Sequence, residues 1–286
     1  MRPLLDFAAT CLKLVDTFRD GQEGNTMENC YGGSTAERQR TDFYSAVIRS
    51  AMPKRVIKKV LLKLLPNHLL EQLKFELHML LIRLRFANRS RPYLKKKNLL
   101  LNVGAGECGK EGWINLDAFP GTKIDCLYDA RKRLPFPSGS IKGIFSEHFF
   151  EHLDYTEEAP LFLRECYRVL RKGGVLRIIV PDAEKYLMAY AQGGWREFKS
   201  LRPLDDQMRD PYYGWEYNTR MELVNHVFRQ GQQHKFAYDF ETIEFLLKRN
   251  GFQDVRKQEY GRSVMPEICI DLEIRRTESL YVESIK

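Results

Sequence analysis

The octapeptide SEHFFEHL, Ser146 to Leu153, concentrates more reactive side chains than any other stretch of this 286-residue chain. His148-Phe-Phe-Glu151-His152 is an H-x-x-E-H sequence, the inverted form of the zinc-peptidase motif. Two imidazoles four residues apart on a helix lie on one face and can share a metal, with the glutamate acting as base. A further histidine, His234 in HKFAYD, and the sequence DPYYGW from Asp210 to Trp215 are the other candidates for chemistry. Which chemistry applies depends on the elements that carry these residues.

Around the octapeptide the chain alternates between two periodicities. NLLLNVGAG, from Asn98, is a short apolar run ending in glycines, which predicts a buried strand entering a tight turn. WINLDAF and KIDCLYD predict a second and third strand, IKGIFSEH a fourth and VLRIIVPD a fifth. APLFLRECYRVLRKGG reads as a helix stopped by two glycines, and FETIEFLLKRNGF as another with a glycine at its end. DVRKQEY and ESLYVESIK predict two late strands that complete a sheet. Strands alternating with helices imply an α/β fold with a mostly parallel sheet covered on both faces. Residues 183–235 show little period and three Trp/Tyr clusters, and read as an insertion that covers the substrate like a lid.

The N-terminal third is different in kind. Residues 1–52 contain a polar, Gly-rich stretch without period and read as an optional, disordered extension, with Met52 a natural start of its own. Residues 53–96 form a basic helical segment: thirteen Lys/Arg stand between Pro53 and Lys97 against Glu71 and Glu76. The +8 net charge therefore belongs to this segment, and the rest of the chain is slightly acidic. That distribution argues against a nucleic-acid-binding catalytic face. Pro66 divides two helices, and Leu69, Leu73, Leu77, Leu80 and Leu84 make one helical stripe in the second. The stripe predicts a helix docked on the domain; the alternative is a peripheral membrane contact through residues 54–86. No apolar run reaches the length of a membrane span, and six scattered cysteines without a C-x-x-C pair favour reduced thiols in a cytoplasmic protein.

In an open parallel sheet, ligands bind beyond the carboxyl ends of the strands, near the point where strand order reverses. Gly104, Ala105 and Gly106 come after the first strand and let a ligand approach the backbone. Asp117 ends the second strand and Asp129 comes after the third, where carboxylates can accept hydrogen bonds from a ribose diol and an adenine amino group. Ser146, Glu147 and His148 end the fourth. Acid at two successive strand ends disfavours a phosphate, so a nucleoside without pyrophosphate fits better than a dinucleotide.

LLLNVGAGECGKEGWINLD, DARKRLPFPSGSI, FSEHFFEHL, RECYRVLRKGGVLRIIVPD and ESLYVESIK, in this order, resemble the class I S-adenosylmethionine-dependent methyltransferases. The likeness is nearest to the bacterial type 11-like branch, in which a glycine loop is soon followed by G-W-x-N-x-D, and it covers residues 97–286. It implies a Rossmann-like, seven-stranded, mostly parallel sheet with S-adenosylmethionine as cofactor. Gly104 and Gly106 would then lie under the methionine part, Asp117 would bind the ribose, and Asp129 would contact the adenine side. Glu147 and His148 would face the methionine end and the substrate. Only ten residues separate Gly106 from Asp117, too few for a full helix between the first two strands.

Within this fold SEHFFEHL spans the end of the fourth strand and the start of the next helix. His148 would then stand at the boundary of strand and loop, so a zinc-peptidase site is not expected, and no metal is assigned. DPYYGW falls after the fifth strand, whereas the D-P-P-Y box of amino-methylating enzymes comes after the fourth, so it is read as coincidence. The expected activity is transfer of a methyl group to a small molecule, a sugar or glycan precursor, at oxygen, with His148 or His234 as base. The alternatives are a nucleoside-binding protein without turnover and a membrane-surface interaction protein.

Overall fold

A computed structural model describes residues 66–85, 91–211 and 214–286. The extension 1–52, the basic helix expected before Pro66, and Tyr212 and Tyr213 of DPYYGW lie outside the described residues.

Helix α1 (Asn67–Arg85) precedes the sheet. Strands β1 (Leu99–Val103), β2 (Ile114–Asp117), β3 (Cys126–Leu127) and β4 (Ile141–Glu147) come next. Then come α2 (Glu158–Val169), β5 (Leu170–Pro181), α3 (Ala183–Ala191) and α4 (Arg196–Leu201). A small hairpin of β6 (Arg209–Asp210) and β7 (Trp215–Glu216) leads to α5 (Arg220–Arg229), α6 (Phe240–Arg249), β8 (Asp254–Gln258) and β9 (Ser279–Ile285). The main sheet has seven strands in the order β3-β2-β1-β4-β5-β9-β8. All pairings from β3 to β5 are parallel, and β9 runs antiparallel to both β5 and β8. This is the α/β, Rossmann-like arrangement that the strand pattern predicts.

The central strands are buried on both faces, which is why LLLNV and VLRIIV read as continuous apolar runs without alternation. One core contains Leu101, Val103, Ile144, Leu176, Ile178 and Val282 from the sheet, with Phe162, Leu163 and Cys166 of α2 and Ile243, Leu246 and Leu247 of α6 against it. Helix α2 ends at Val169, earlier than the two glycines suggest; Gly173, at φ +72°, lies within β5 where its register against β4 shifts.

The span 183–235 is largely helical. Asp182 caps α3 through the Lys185 amide, and Thr219 and Glu222 form a reciprocal capping box at the start of α5. Tyr186, Phe198, Tyr217, Leu223 and Val227 make a second apolar cluster of its own. The T-R-M-E sequence at 219–222 is a helix-start signal that the low periodicity obscured.

Helix α1 docks on the domain, but by a different face from the leucine stripe. Leu69, Leu73 and Leu84 are 41, 40 and 39% exposed, whereas Leu70, His78, Met79, Leu81 and Ile82 are buried. Met79 and Ile82 pack on Leu127, and a ring nitrogen of His78 bonds to the Ala118 carbonyl at 2.8 Å. Arg83 pairs with Asp129 at 2.6 Å, and Glu76 with Arg131 at 2.6 Å. These charged partners lie just beyond the end of β3, so helical periodicity alone did not reveal which face would be covered. No helix among the described residues is long and apolar enough to cross a membrane.

Candidate active site

Strand order reverses beside β1: the chain steps outward through β2 and β3, then returns to place β4 on the other side of β1. The crevice at the carboxyl ends of β1 and β4 is where such a fold binds ligands. A cleft of about 430 Å³, counting space open to solvent, lies there, lined by Gly104, Ala105, Lys110, Glu147, His148 and Arg275 among others.

The floor of the cleft is the turn after β1. Gly104, at φ +72°, is closely overlain: a Cβ there would stand 2.6 Å from Cβ of Phe149, so only glycine fits. The Gly104 and Ala105 amides donate to the Leu116 carbonyl, at 2.9 and 3.2 Å. Asp117 completes the turn: Oδ2 accepts from the Gly106 amide at 2.9 Å and Oδ1 from the Phe119 amide at 2.8 Å. Asn115, from the G-W-x-N-x-D segment, holds the rest of the loop. Its side chain bonds both to the backbone amide and carbonyl of Lys110 and to Asp125, at 2.8, 2.9 and 2.9 Å. No helix intervenes between β1 and β2, as the short spacing requires.

Glu147 and His148 come together on the opposite wall. Glu147 Oε1 accepts from the Leu272 amide at 3.1 Å. Burial pushes its carboxyl up to about 7, against the opposing influence of that amide and of Arg275. His148 takes a left-handed conformation, φ +50°, directly after β4. Its Nε2 lies 2.9 Å from Ser279 Oγ, and burial, reinforced by Arg275, holds the imidazole well below its usual pKa. The ring is therefore neutral at physiological pH.

The third wall comes from the segment between β8 and β9, which no motif in the sequence marks. Arg177, fully buried on β5, reaches this segment by two bonds to Asp271, at 2.8 and 2.5 Å, and pairs with Glu283 on β9 at 2.8 Å. It also donates to the carbonyls of Arg262 and Glu259. The clamp sets Ile270, Leu272 and Arg275 over the cleft. An arginine within the apolar run VLRIIV is the signal that a buried carboxylate partner must exist elsewhere.

Asp129 and His234 stand elsewhere. Asp129 is buried in an ion cluster with Arg131 and Arg83; burial alone would raise its pKa, but their hydrogen bonds hold it below the ordinary value. It anchors α1 and is not among the residues lining the cleft. His234 sits behind His148, with Nδ1 2.6 Å from the Val227 carbonyl and Nε2 3.8 Å from Glu151 Oε1. The H-x-x-E-H sequence does not form the peptidase geometry: His148 lies outside the single 3₁₀ turn, Phe150–His152, that contains the other two residues.

The residues around the cleft suit S-adenosylmethionine. The cofactor's amino acid end carries an ammonium and a carboxylate, and the cleft presents one carboxyl group, Glu147, with two cations, Lys110 and Arg275. The glycine turn offers a bare backbone, and no phosphate-binding helix N-terminus stands after β1.

Residues 117–178, from the end of β2 into β5, match the family model described as a methyltransferase domain. No curated protein sequence matches the chain. Among solved structures, the chain is similar to a SAM-dependent methyltransferase from Archaeoglobus fulgidus, with 20% identity over 77% of this chain and 100% of that one, at a TM-score of 0.41. It is also similar to S-adenosylmethionine-dependent methyltransferases from Mesorhizobium loti, with 18% identity over 69% and 98% of the two chains, at a TM-score of 0.35, and from Aquifex aeolicus, with 15% identity over 71% and 92%, at a TM-score of 0.36. The matched residues lie in the seven-stranded sheet, whose order and mostly parallel pairing are those of a Rossmann-like α/β fold.

Proposed function

We propose that this protein transfers the methyl group of S-adenosylmethionine to an oxygen of a small hydroxylated molecule, a sugar or glycan precursor. The observation that carries the reading is the pairing of Glu147 and His148 at the end of β4, across the cleft from the Gly104–Gly106 turn. When bound, the cofactor supplies an already activated methyl group on a sulfonium, so the protein's task is to bind, orient and exclude water. The glycine turn, held by Asp117, lies under the methionine part, whose amino and carboxylate groups Glu147 and Arg275 suit, and Asp117 takes the ribose. In this reading His148, which lines the cleft, accepts the proton that an acceptor hydroxyl releases as its oxygen is methylated. The insertion 183–235, with its separate apolar cluster, serves as the cover of the acceptor side.

Calorimetric titration with S-adenosylhomocysteine, on the wild type and on Asp117→Ala, tests the cofactor half of this reading. Micromolar binding that weakens at least about tenfold in a folded variant is the expected result. A folded wild-type protein that does not bind would overturn it. The acceptor half is tested by turnover on a panel of hydroxylated sugars, in which His148→Ala should lower the rate by about 10²-fold or more.

A further inference from the structure

Behind the cleft lies a compact group of side chains, Glu151, His152 and His234, that the proposed methyl transfer does not use. Glu151 is 1% exposed, and neither of its carboxylate oxygens has a hydrogen-bond partner. A buried carboxylate left in this state costs several kcal/mol unless something else satisfies it. What surrounds it is nitrogen. His234 Nε2 lies 3.8 Å and His148 Nδ1 3.4 Å from Glu151 Oε1, and the His152 and His234 rings meet edge to face with centroids 4.8 Å apart.

The tautomers of two of these rings are set by their backbone partners. His234 Nδ1 bonds to the Val227 carbonyl at 2.6 Å, and His152 Nδ1 to the Gln233 carbonyl at 3.1 Å. A carbonyl oxygen only accepts, so each Nδ1 carries the proton and each Nε2 carries the lone pair. Metal-ligating histidines use this same support, donating one ring N–H to a carbonyl so that the other nitrogen is aimed and made more basic. The backbone fixes the juxtaposition as well: the amides of Lys235 and Phe236 donate to the Glu151 carbonyl at 2.7 and 3.3 Å, bringing His234 to the turn that bears Glu151 and His152.

We propose that Glu151, His152 and His234 form a divalent-metal site for zinc or a similar borderline transition metal. One donor atom from each lies within 4.8 Å of the others. Zinc bonds of about 2.0–2.2 Å in a tetrahedral site set donor separations near about 3.4 Å, so the 3.8 Å pair needs to close by less than half an ångström and the widest pair by no more than about 1.4 Å. Two imidazoles and one carboxylate suit zinc, cobalt or nickel better than magnesium or calcium, which prefer oxygen donors. Three protein ligands leave a fourth position for water or a substrate oxygen, the composition of a reactive site rather than a closed structural one. The H-x-x-E-H motif thus contributes its glutamate and second histidine, and the third ligand comes from 82 residues downstream. This site does not depend on the methyl-transfer reading.

The test uses the full chain, freed of any affinity tag and stripped with chelator, titrated with Zn²⁺ by calorimetry and with Co²⁺ by visible absorption. One equivalent bound with micromolar or tighter affinity, with cobalt bands of a four- or five-coordinate site, is expected. Glu151→Gln and His234→Ala should each weaken zinc at least about tenfold, with folding checked by thermal melting. If either variant does not fold, His152→Gln, on the more exposed side, takes its place. No stoichiometric zinc uptake by folded wild type would overturn the proposal. Uptake unchanged in the folded variants would overturn it equally.

Discussion

At the scale of single residues, position after a strand tells more than residue type. Glu147 and His148 adjoin in sequence and together line one wall because β4 ends there and His148 turns the chain into a left-handed conformation. Glu147 also has a measurable thermodynamic consequence. Its carboxyl in the folded protein is raised to about 7 from an ordinary 4.5, so between these values the folded state holds more protons than the unfolded one. The neutral form's contribution to stability is complete below about pH 4.5 and is lost as pH rises through about 7. Glu147→Gln should therefore be more stable than wild type by about 1–3 kcal/mol at pH 8 and equal to it near pH 4.5, as read by urea unfolding. A variant that gains nothing at pH 8 would show that Glu147 is ionised in the folded protein at no cost.

At the scale of elements, two attachments matter most. The segment between β8 and β9 is held on the sheet by Arg177, whose partners Asp271 and Glu283 have fully buried side chains. Removing the guanidinium leaves two carboxylates without their cation, so Arg177→Met should cost about 3–5 kcal/mol. It should also loosen the wall that carries Leu272 and Arg275. Limited proteolysis between residues 259 and 278, together with a loss of S-adenosylhomocysteine affinity, is the expected signature. Helix α1 is attached by a smaller apolar contact and two ion pairs, Arg83–Asp129 and Glu76–Arg131. Ile82, 1% exposed, is the centre of that contact, and Ile82→Ala should cost about 2–4 kcal/mol in unfolding measurements. Cofactor affinity should stay near wild type, because the contact lies on the β3 side, away from Glu147 and His148.

At the scale of the whole molecule, the ends of β1 and β4 and the β8–β9 segment meet at one crevice, and occupation of that crevice should stabilise the sheet that joins them. Saturation with S-adenosylhomocysteine at about 100 times its dissociation constant should add about 2.7 kcal/mol to the unfolding free energy, visible as a rise of several degrees in Tm. A Tm that does not respond to ligand at that ratio would mean that the cleft is not coupled to the stability of the domain.

Much of this architecture is legible along the chain because it depends on local pattern. Continuous apolar runs bounded by glycines mark β1, β4 and β5, since a parallel strand buried on both faces has no alternation to show. The ten-residue spacing from Gly106 to Asp117 already excludes a helix between β1 and β2. The strand-end rule brings Gly104, Asp117, Glu147 and His148 to one region on pattern alone. Local pattern along the chain is therefore enough for the alternation of elements, the class of fold, and which strand ends bear chemistry, because each depends on neighbours within a few residues.

How distant charges pair emerges only in the folded chain. Folding turned Asp129 away toward Arg83 and Arg131, covered α1 on its Met79–Ile82 face instead of its leucine stripe, and set Arg275 over the cleft through a clamp on Arg177. It also separated His148 from the helical geometry of H-x-x-E-H and brought His234 to Glu151 in its place. Periodicity records which side chains share a face of their own element. Which face is covered, and which buried charge meets which partner, is set by contacts between segments tens of residues apart, and those arise only when the chain is folded.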